Sequence, residues 1–352
     1  MFNMEELAVP NAVGARPVAV LLPHERAAFA CDDPLLRGAH LPLRAVFHPM
    51  GFSVEVVTNS VEVLAAAEES WGQFKKVFSE PTVELRFGVI DDGSQQCPPE
   101  AIYRAHRNLR SIVADQNNSC TCDLKQGFAF AWLTRAAVEH QNYFRYYFLE
   151  AAAAFFLINS PCVTLLHAAC VQMAGRGVLL CGDSGAGKSS LAFACARAGW
   201  TYLSDDLACL VQGGEDRIVV GNPHMFRFRD SAVQLFSELQ GESIAPRVAG
   251  KPTIEFPSVR MPQITTADRC SIDYIVFLNR REPNPPGLIP FPRDIALQWF
   301  EQGFSLDELR ERRLAAIRNL LTVEILELRY RDLDFAVGEL ENLVEKDIRK
   351  HL

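Results

Sequence analysis

The chain has 352 residues, of which 49% are hydrophobic and 22% charged, and it carries a net charge of −8. That composition supports at least one full-sized core and about two domains, and it excludes a disordered tail, a collagen-like repeat and a disulfide-stapled miniprotein. An acidic balance argues against a general DNA or RNA binder, but leaves room for a basic pocket around one phosphorylated ligand. Many of the ten cysteines fall inside apolar runs such as 178–181 and 207–211, where a thiol acts as a small hydrophobe. Cys120-x-Cys122 has no second pair at zinc-finger spacing, so no metal site is expected there. Reduced thiols point to a cytoplasmic protein. Glu5 and Glu6 replace the basic start of a signal peptide. The longest apolar run, 151–158, is far short of the roughly 20 residues a membrane span needs.

In chain order, residues 18–22 and 53–57 predict strands. The spacing of Val61, Leu64, Ala65, Trp71 and Phe74 predicts a helix over 60–77. A strand over 83–90, a turn-rich loop over 91–99, a strand meander over 101–133 and a helix over 139–158 follow. Residues 1–160 thus read as an α+β region, a candidate for substrate recognition, with scattered histidines (His24, His40, His48, His106, His140) and no catalytic motif.

Residues 161–352 differ. A strand over 165–172 carries His167, a turn occupies 174–177, and a buried strand runs over 178–181 into the glycine-rich 182–189. A helix over 189–198 closes at Gly199, a position suited to a helix-terminating glycine. The strand over 200–204 ends in Asp205-Asp206, and 207–211 with 217–220 form a hairpin. Helices over 294–302, 305–321 and 332–346 and a strand over 322–330 complete the chain.

The segment Gly182-Asp183-Ser184-Gly185-Ala186-Gly187-Lys188-Ser189, followed by Ser190, fits G-x-x-x-x-G-K-[ST]. The chemistry needs this spacing. Glycines let the backbone wrap so that its N–H groups point at phosphate oxygens, and the next helix adds the positive end of its dipole. Lys188 is placed for the β- and γ-phosphates, and Ser189 for the magnesium ion that bridges them. Asp205 lies 17 residues after Lys188, at a strand end. A carboxylate there can approach the γ-phosphate, as a base toward a hydroxyl or as a magnesium ligand.

The stretch 166–210, LHAACVQMAGRGVLLCGDSGAGKSSLAFACARAGWTYLSDDLACL, resembles the catalytic domain of HPr kinase/phosphorylase and its relatives. The shared pattern is a histidine 15 residues before the loop, the form GDSG-x-GKS, a short helix, a glycine and a strand ending in Asp-Asp. The resemblance implies an α/β P-loop kinase domain of the phosphoenolpyruvate carboxykinase-like type, with ATP and Mg2+ as cofactors. It implies Asp205 as the base toward an acceptor serine, His167 as the residue that orients the carboxylates, and Asp206 as a support for the metal. The family's Glu-Ile-Arg-Gly signature is missing: residues 218–230 read IVVGNPHMFRFRD. The chain therefore looks closer to relatives that phosphorylate a serine in a precursor peptide, or free serine, than to enzymes acting on HPr. Arg227, Arg229, Arg247 and Lys251 are candidates for binding phosphate or an acidic acceptor. Arg227 and Arg229 stand two apart on a predicted strand and face one side.

The leading expectation is an ATP- and magnesium-dependent kinase acting on a hydroxyl of a protein, peptide or small molecule, with no nucleic-acid or membrane partner and with a homo-oligomer left open. The alternative is a nucleotide-binding regulatory module with weak or no ATPase activity. A carboxykinase-like metabolic enzyme is a third reading, weakened because no second metal-binding His/Lys set is visible.

Overall fold

In the computed structural model, residues 40–213, 216–245, 253–280, 285–304 and 308–351 are described. The expected strand at 18–22, His24, Arg247 and Lys251 lie outside them. The chain divides into two compact units that join at Asn159 and Ser160.

The first unit is built on a seven-stranded sheet: β1 (Leu43–Phe47), β2 (Val54–Thr58), β3 (Val83–Ile90), β4 (Ile102–His106), β5 (Leu109–Val113), β6 (Ser119–Asp123) and β7 (Phe128–Thr134), in the order β1-β2-β3-β7-β6-β5-β4. β4 to β7 form the antiparallel meander expected over 101–133. β3 lies between β2 and β7, parallel to both, and Leu85 and Phe87 on it are buried. Helix α1 (Val61–Trp71) and the helical run of α2 (Arg135–Glu139), α3 (Gln141–Phe144), a π-helical turn (Arg145–Leu149) and α4 (Glu150–Ile158) pack with this sheet. Buried Arg145 is held by Glu69 at 2.7 Å, Ser70 at 2.9 Å and Glu150 at 3.3 Å, which satisfies a charge that would otherwise be costly to bury. Cys120 and Cys122 point to one side of β6 with their sulfurs 4.0 Å apart.

The second unit is a mixed α/β fold. Its strands are β8 (Val163–Leu166), β9 (Ala169–Met173), β10 (Arg176–Cys181), β11 (Thr201–Ser204), β12 (Ala208–Val211), β13 (Ile218–Val220), β14 (Met225–Phe228), β15 (Ile244–Ala245), β16 (Thr253–Pro257), β17 (Arg269–Asn279), β18 (Gly287–Pro290) and β19 (Glu324–Arg329). The helices are α5 (Lys188–Arg197), α6 (Arg293–Glu301), α7 (Arg310–Leu320) and α8 (Leu333–His351). β17 organises the sheet. From Tyr274 onward it lies between β10 and β19, parallel to both, and its first residues pair antiparallel with β13. Such a strand is covered on both faces, and its run YIVFL over 274–278 is accordingly continuously apolar.

Leu191, Phe193, Trp200 and Tyr202 pack with α8 residues Ala336, Leu340 and Val344 on one face of the sheet. Leu179, Ile275 and Phe277 pack with Ala296 and Phe300 of α6 and Ile317 of α7 on the other. The small sheet β14-β16-β15 joins the first layer through Phe226 and Phe228, both edge-on to Phe193 of α5. At Gly177, where the β10–β17 register shifts, a Cβ would lie 2.1 Å from the Ser271 carbonyl oxygen, so only glycine fits that approach.

Candidate active site

The expected single strand through His167 is two strands. β8 pairs with β12, whereas β9 pairs with β10 and β11. Ser204 stands opposite Cys170 and Ala208 opposite Leu166, so the ladder breaks for a few residues on both chains at the same level. His167 lies in one gap and Asp205, Asp206 and Leu207 in the other. A uniform apolar pattern, Leu-Leu-His-Ala-Ala-Cys-Val, runs through the break, so periodicity could not locate it. The Ser204 hydroxyl donates to the Leu207 carbonyl and closes the turn around the two aspartates.

Next to this seam the glycine loop joins buried β10 to α5. Gly182, Gly185 and Gly187 have φ of 143°, 89° and 99°, values that side chains disfavour. Gly187 is the N-cap of α5, and a Cβ on it would lie 2.5 Å from the Tyr330 hydroxyl oxygen. That hydroxyl donates to the Ala186 carbonyl at 3.0 Å. Burial raises the Tyr330 pKa to about 12, with Arg280 pulling the other way. Lys188, also buried, folds over the loop and donates from Nζ to the carbonyls of Gly182 at 2.7 Å and Asp183 at 3.3 Å. Burial pushes its pKa below the usual lysine value. Asp206, Cys181 and Asp183 act against the shift, and Arg229 adds to it. Ser189, in the first turn of α5, donates to the Asp205 carbonyl at 3.2 Å.

The two aspartates face different ways. Asp205 is 3% exposed, and its Oδ2 accepts the Arg227 backbone N–H at 2.5 Å. It also lies against Tyr202, whose hydroxyl is pushed well above the ordinary tyrosine value, by burial first and then by the Asp205 charge. Asp206 is half-buried, with Oδ1 3.1 Å from Nδ1 of His167, whose side chain is 47% exposed. Asp206, His167 and Lys188 therefore share a neighbourhood, with Asp205 beneath it.

Of the residues expected to bind an acceptor, Arg227 is already engaged: its Nε is 3.0 Å from Glu255 Oε1. Arg229, just past β14, donates from Nη2 to Ser184 Oγ at 2.7 Å. Sequence reasoning missed Arg280 and Tyr330. Both immediately follow strands parallel to β10, where ligands of open α/β sheets bind, and that placement is the signal that could have found them. Among the described residues no group of three or more His, Cys, Asp or Glu is arranged to hold a metal ion, and no helix is long and apolar enough to cross a membrane.

No family model matches this chain, and no curated protein does. Among solved structures, the HPr(Ser) kinase/phosphatase from Coxiella burnetii is similar at 15% identity and a TM-score of 0.30, over 53% of this chain and 98% of that one. At that score the likeness carries no argument about activity.

Proposed function

We propose that the second unit is an ATP- and magnesium-dependent phosphotransferase that moves the γ-phosphoryl group to a hydroxyl, with a serine side chain or free serine as the acceptor class. One observation carries this reading. A glycine loop with a buried lysine lies beside an Asp206–His167 pair, so a phosphate-binding cation and a proton-accepting pair adjoin one another. A binding module needs the first; phosphoryl transfer needs both.

The loop amides and Lys188 hold the triphosphate. Ser189 Oγ and the Asp206 carboxylate are hard oxygen donors that suit magnesium, which prefers few protein ligands alongside substrate phosphates. When bound, magnesium neutralises charge on the β- and γ-oxygens. His167, tied to Asp206 through Nδ1, presents Nε2 to take the acceptor proton. In this reading Asp205 does not act as the base. Buried and bonded to the Arg227 amide, it positions β14 and the turn that carries Asp206.

Single-turnover reaction with γ-labelled ATP, offered to free serine and to serine-containing peptides, tests the proposal. Label appearing in an acceptor supports it. Tight nucleotide binding with release of inorganic phosphate alone would favour the regulatory ATPase instead.

A further inference from the structure

Most arginines around the sheet of the second unit are matched by carboxylates: Arg176 by Asp273 at 3.0 Å, Arg227 by Glu255 at 3.0 Å and Arg329 by Glu327 at 2.8 Å. Two are not. Among the described residues Arg229 and Arg280 have no carboxylate partner, and both are exposed. Each touches the glycine loop, Arg229 at its middle and Arg280 at its helix end. Arg229 bonds the Ser184 hydroxyl at the third loop position. Arg280 stands over the Tyr330 ring, 5.6 Å from its centroid, with Nη1 3.5 Å from where a Gly187 Cβ would sit at the α5 N-cap. Two guanidinium groups thus join Lys188 at one loop, opposed by Asp183 and Asp206, and add positive charge where a polyphosphate would lie.

A loop of this kind wraps a polyphosphate lengthwise. Its helix end lies by the phosphates nearer the nucleoside, and Lys188 reaches the β- and γ-groups. The loop's middle, at Ser184, lies farther along, beside the terminal group. Resting on the nucleotide reading above, we propose that Arg280 binds the diphosphate portion of the nucleotide and that Arg229 serves the γ-phosphoryl group as an arginine finger supplied within the chain. During transfer the acceptor oxygen forms a bond to Pγ. The bond from Pγ to the bridging oxygen breaks, its electrons leave with ADP, and the acceptor proton passes to His167 Nε2. Arg229 offsets the charge on the γ-oxygens during that exchange. Arg229 is then a catalytic rather than an acceptor-binding residue, and Tyr330 is a positioning residue that holds both Arg280 and the loop.

Calorimetry on the full chain separates the two ends. The titrants are magnesium-ADP, magnesium with a non-hydrolysable ATP analogue, and magnesium-ADP with aluminium fluoride as a mimic of the transferring group. Thermal melts of the ligand-free variants check folding. Arg280→Ala should weaken all three about ten- to a hundredfold, the scale of one charge-assisted hydrogen bond. Arg229→Ala should leave magnesium-ADP unchanged and weaken the aluminium fluoride complex by a similar factor, with Arg229→Lys between. Equal losses across the three titrants for Arg229→Ala, or an Arg280→Ala protein that binds like the parent, would overturn the assignment while leaving the nucleotide reading intact. A parent protein that binds none of the three would overturn the nucleotide reading and this proposal with it.

Discussion

Tyr330 donates its hydroxyl to the Ala186 carbonyl at 3.0 Å, joining the end of β19 to the glycine loop across 144 residues of sequence. The same oxygen stands where a Cβ on Gly187 would go. Gly187→Ala should therefore cost stability twice, through a positive φ and through a clash. Gly185→Ala, at φ 89° with open space around it, should suffer only the first. Adding Tyr330→Phe removes the clashing atom. Denaturant unfolding of the single and double variants should give a favourable coupling of about 0.5–3 kcal/mol between positions 187 and 330. Additive effects would mean that the loop does not rest on Tyr330.

Lys188 is buried and its pKa is lowered mainly by burial. The folded state thus holds its proton less tightly than the unfolded chain does. Stability relative to a Lys188→Met variant should rise with pH between the lowered pKa and the ordinary lysine value, and should be least favourable below that window. Melting the ligand-free proteins from neutral to alkaline pH reads this directly: the gap between variant and parent should narrow as pH rises. In the same proteins, a thermal shift on adding magnesium-ATP should appear for the parent and vanish for Lys188→Met.

His167 and Asp205 should separate by kind of effect. His167→Gln should retain nucleotide affinity and lower transfer about a hundred- to ten-thousandfold, as expected for a lost general base. Asp205→Ala strands the buried Arg227 amide and should cost about 1–3 kcal/mol of stability. If His167→Gln turned over normally while a folded Asp205→Asn protein did not, the base would be Asp205 after all.

HPr should not be an acceptor. In the region of the missing signature, Pro223 lacks an N–H, the Arg227 guanidinium is taken by Glu255 and Arg229 rests on the glycine loop, so among the described residues 218–230 no further arginine is left for a second anion. Incubation with HPr and magnesium-ATP should leave it unmodified. Stoichiometric phospho-HPr, reversed by inorganic phosphate, would contradict this.

The parts legible in the sequence are those governed by local chemistry. The loop and its helix follow from glycine placement, β3 falls on the expected 83–90, and the meander of β4 to β7 follows from alternation and turns. α1 ends at Trp71, short of the expected 77: Gly72 follows, and Phe74 falls outside the helix. What was not legible depends on tertiary partners. The break at His167 arises because β8 and β9 find different neighbours, buried Asp205 takes its hydrogen bond from the Arg227 backbone of β14, and the Arg227–Glu255 pair joins strands 28 residues apart. Lys251 lies outside the described residues.

The interrupted ladder also constrains how this site can evolve. Ser204–Cys170 and Ala208–Leu166 pair on either side of the gap. Because side chains alternate along a strand, a one-residue shift in the pairing of β12 would exchange its faces, and would take Ala208 and Leu210 out of the cluster they form with Leu166 and Leu203. Length variation among descendants is thereby steered away from the seam and into connections such as the one between β12 and β13. Under the phosphotransferase reading proposed above, acceptor preference is free to drift through such loops while the spacing of His167 and Asp206 stays locked to the strand register.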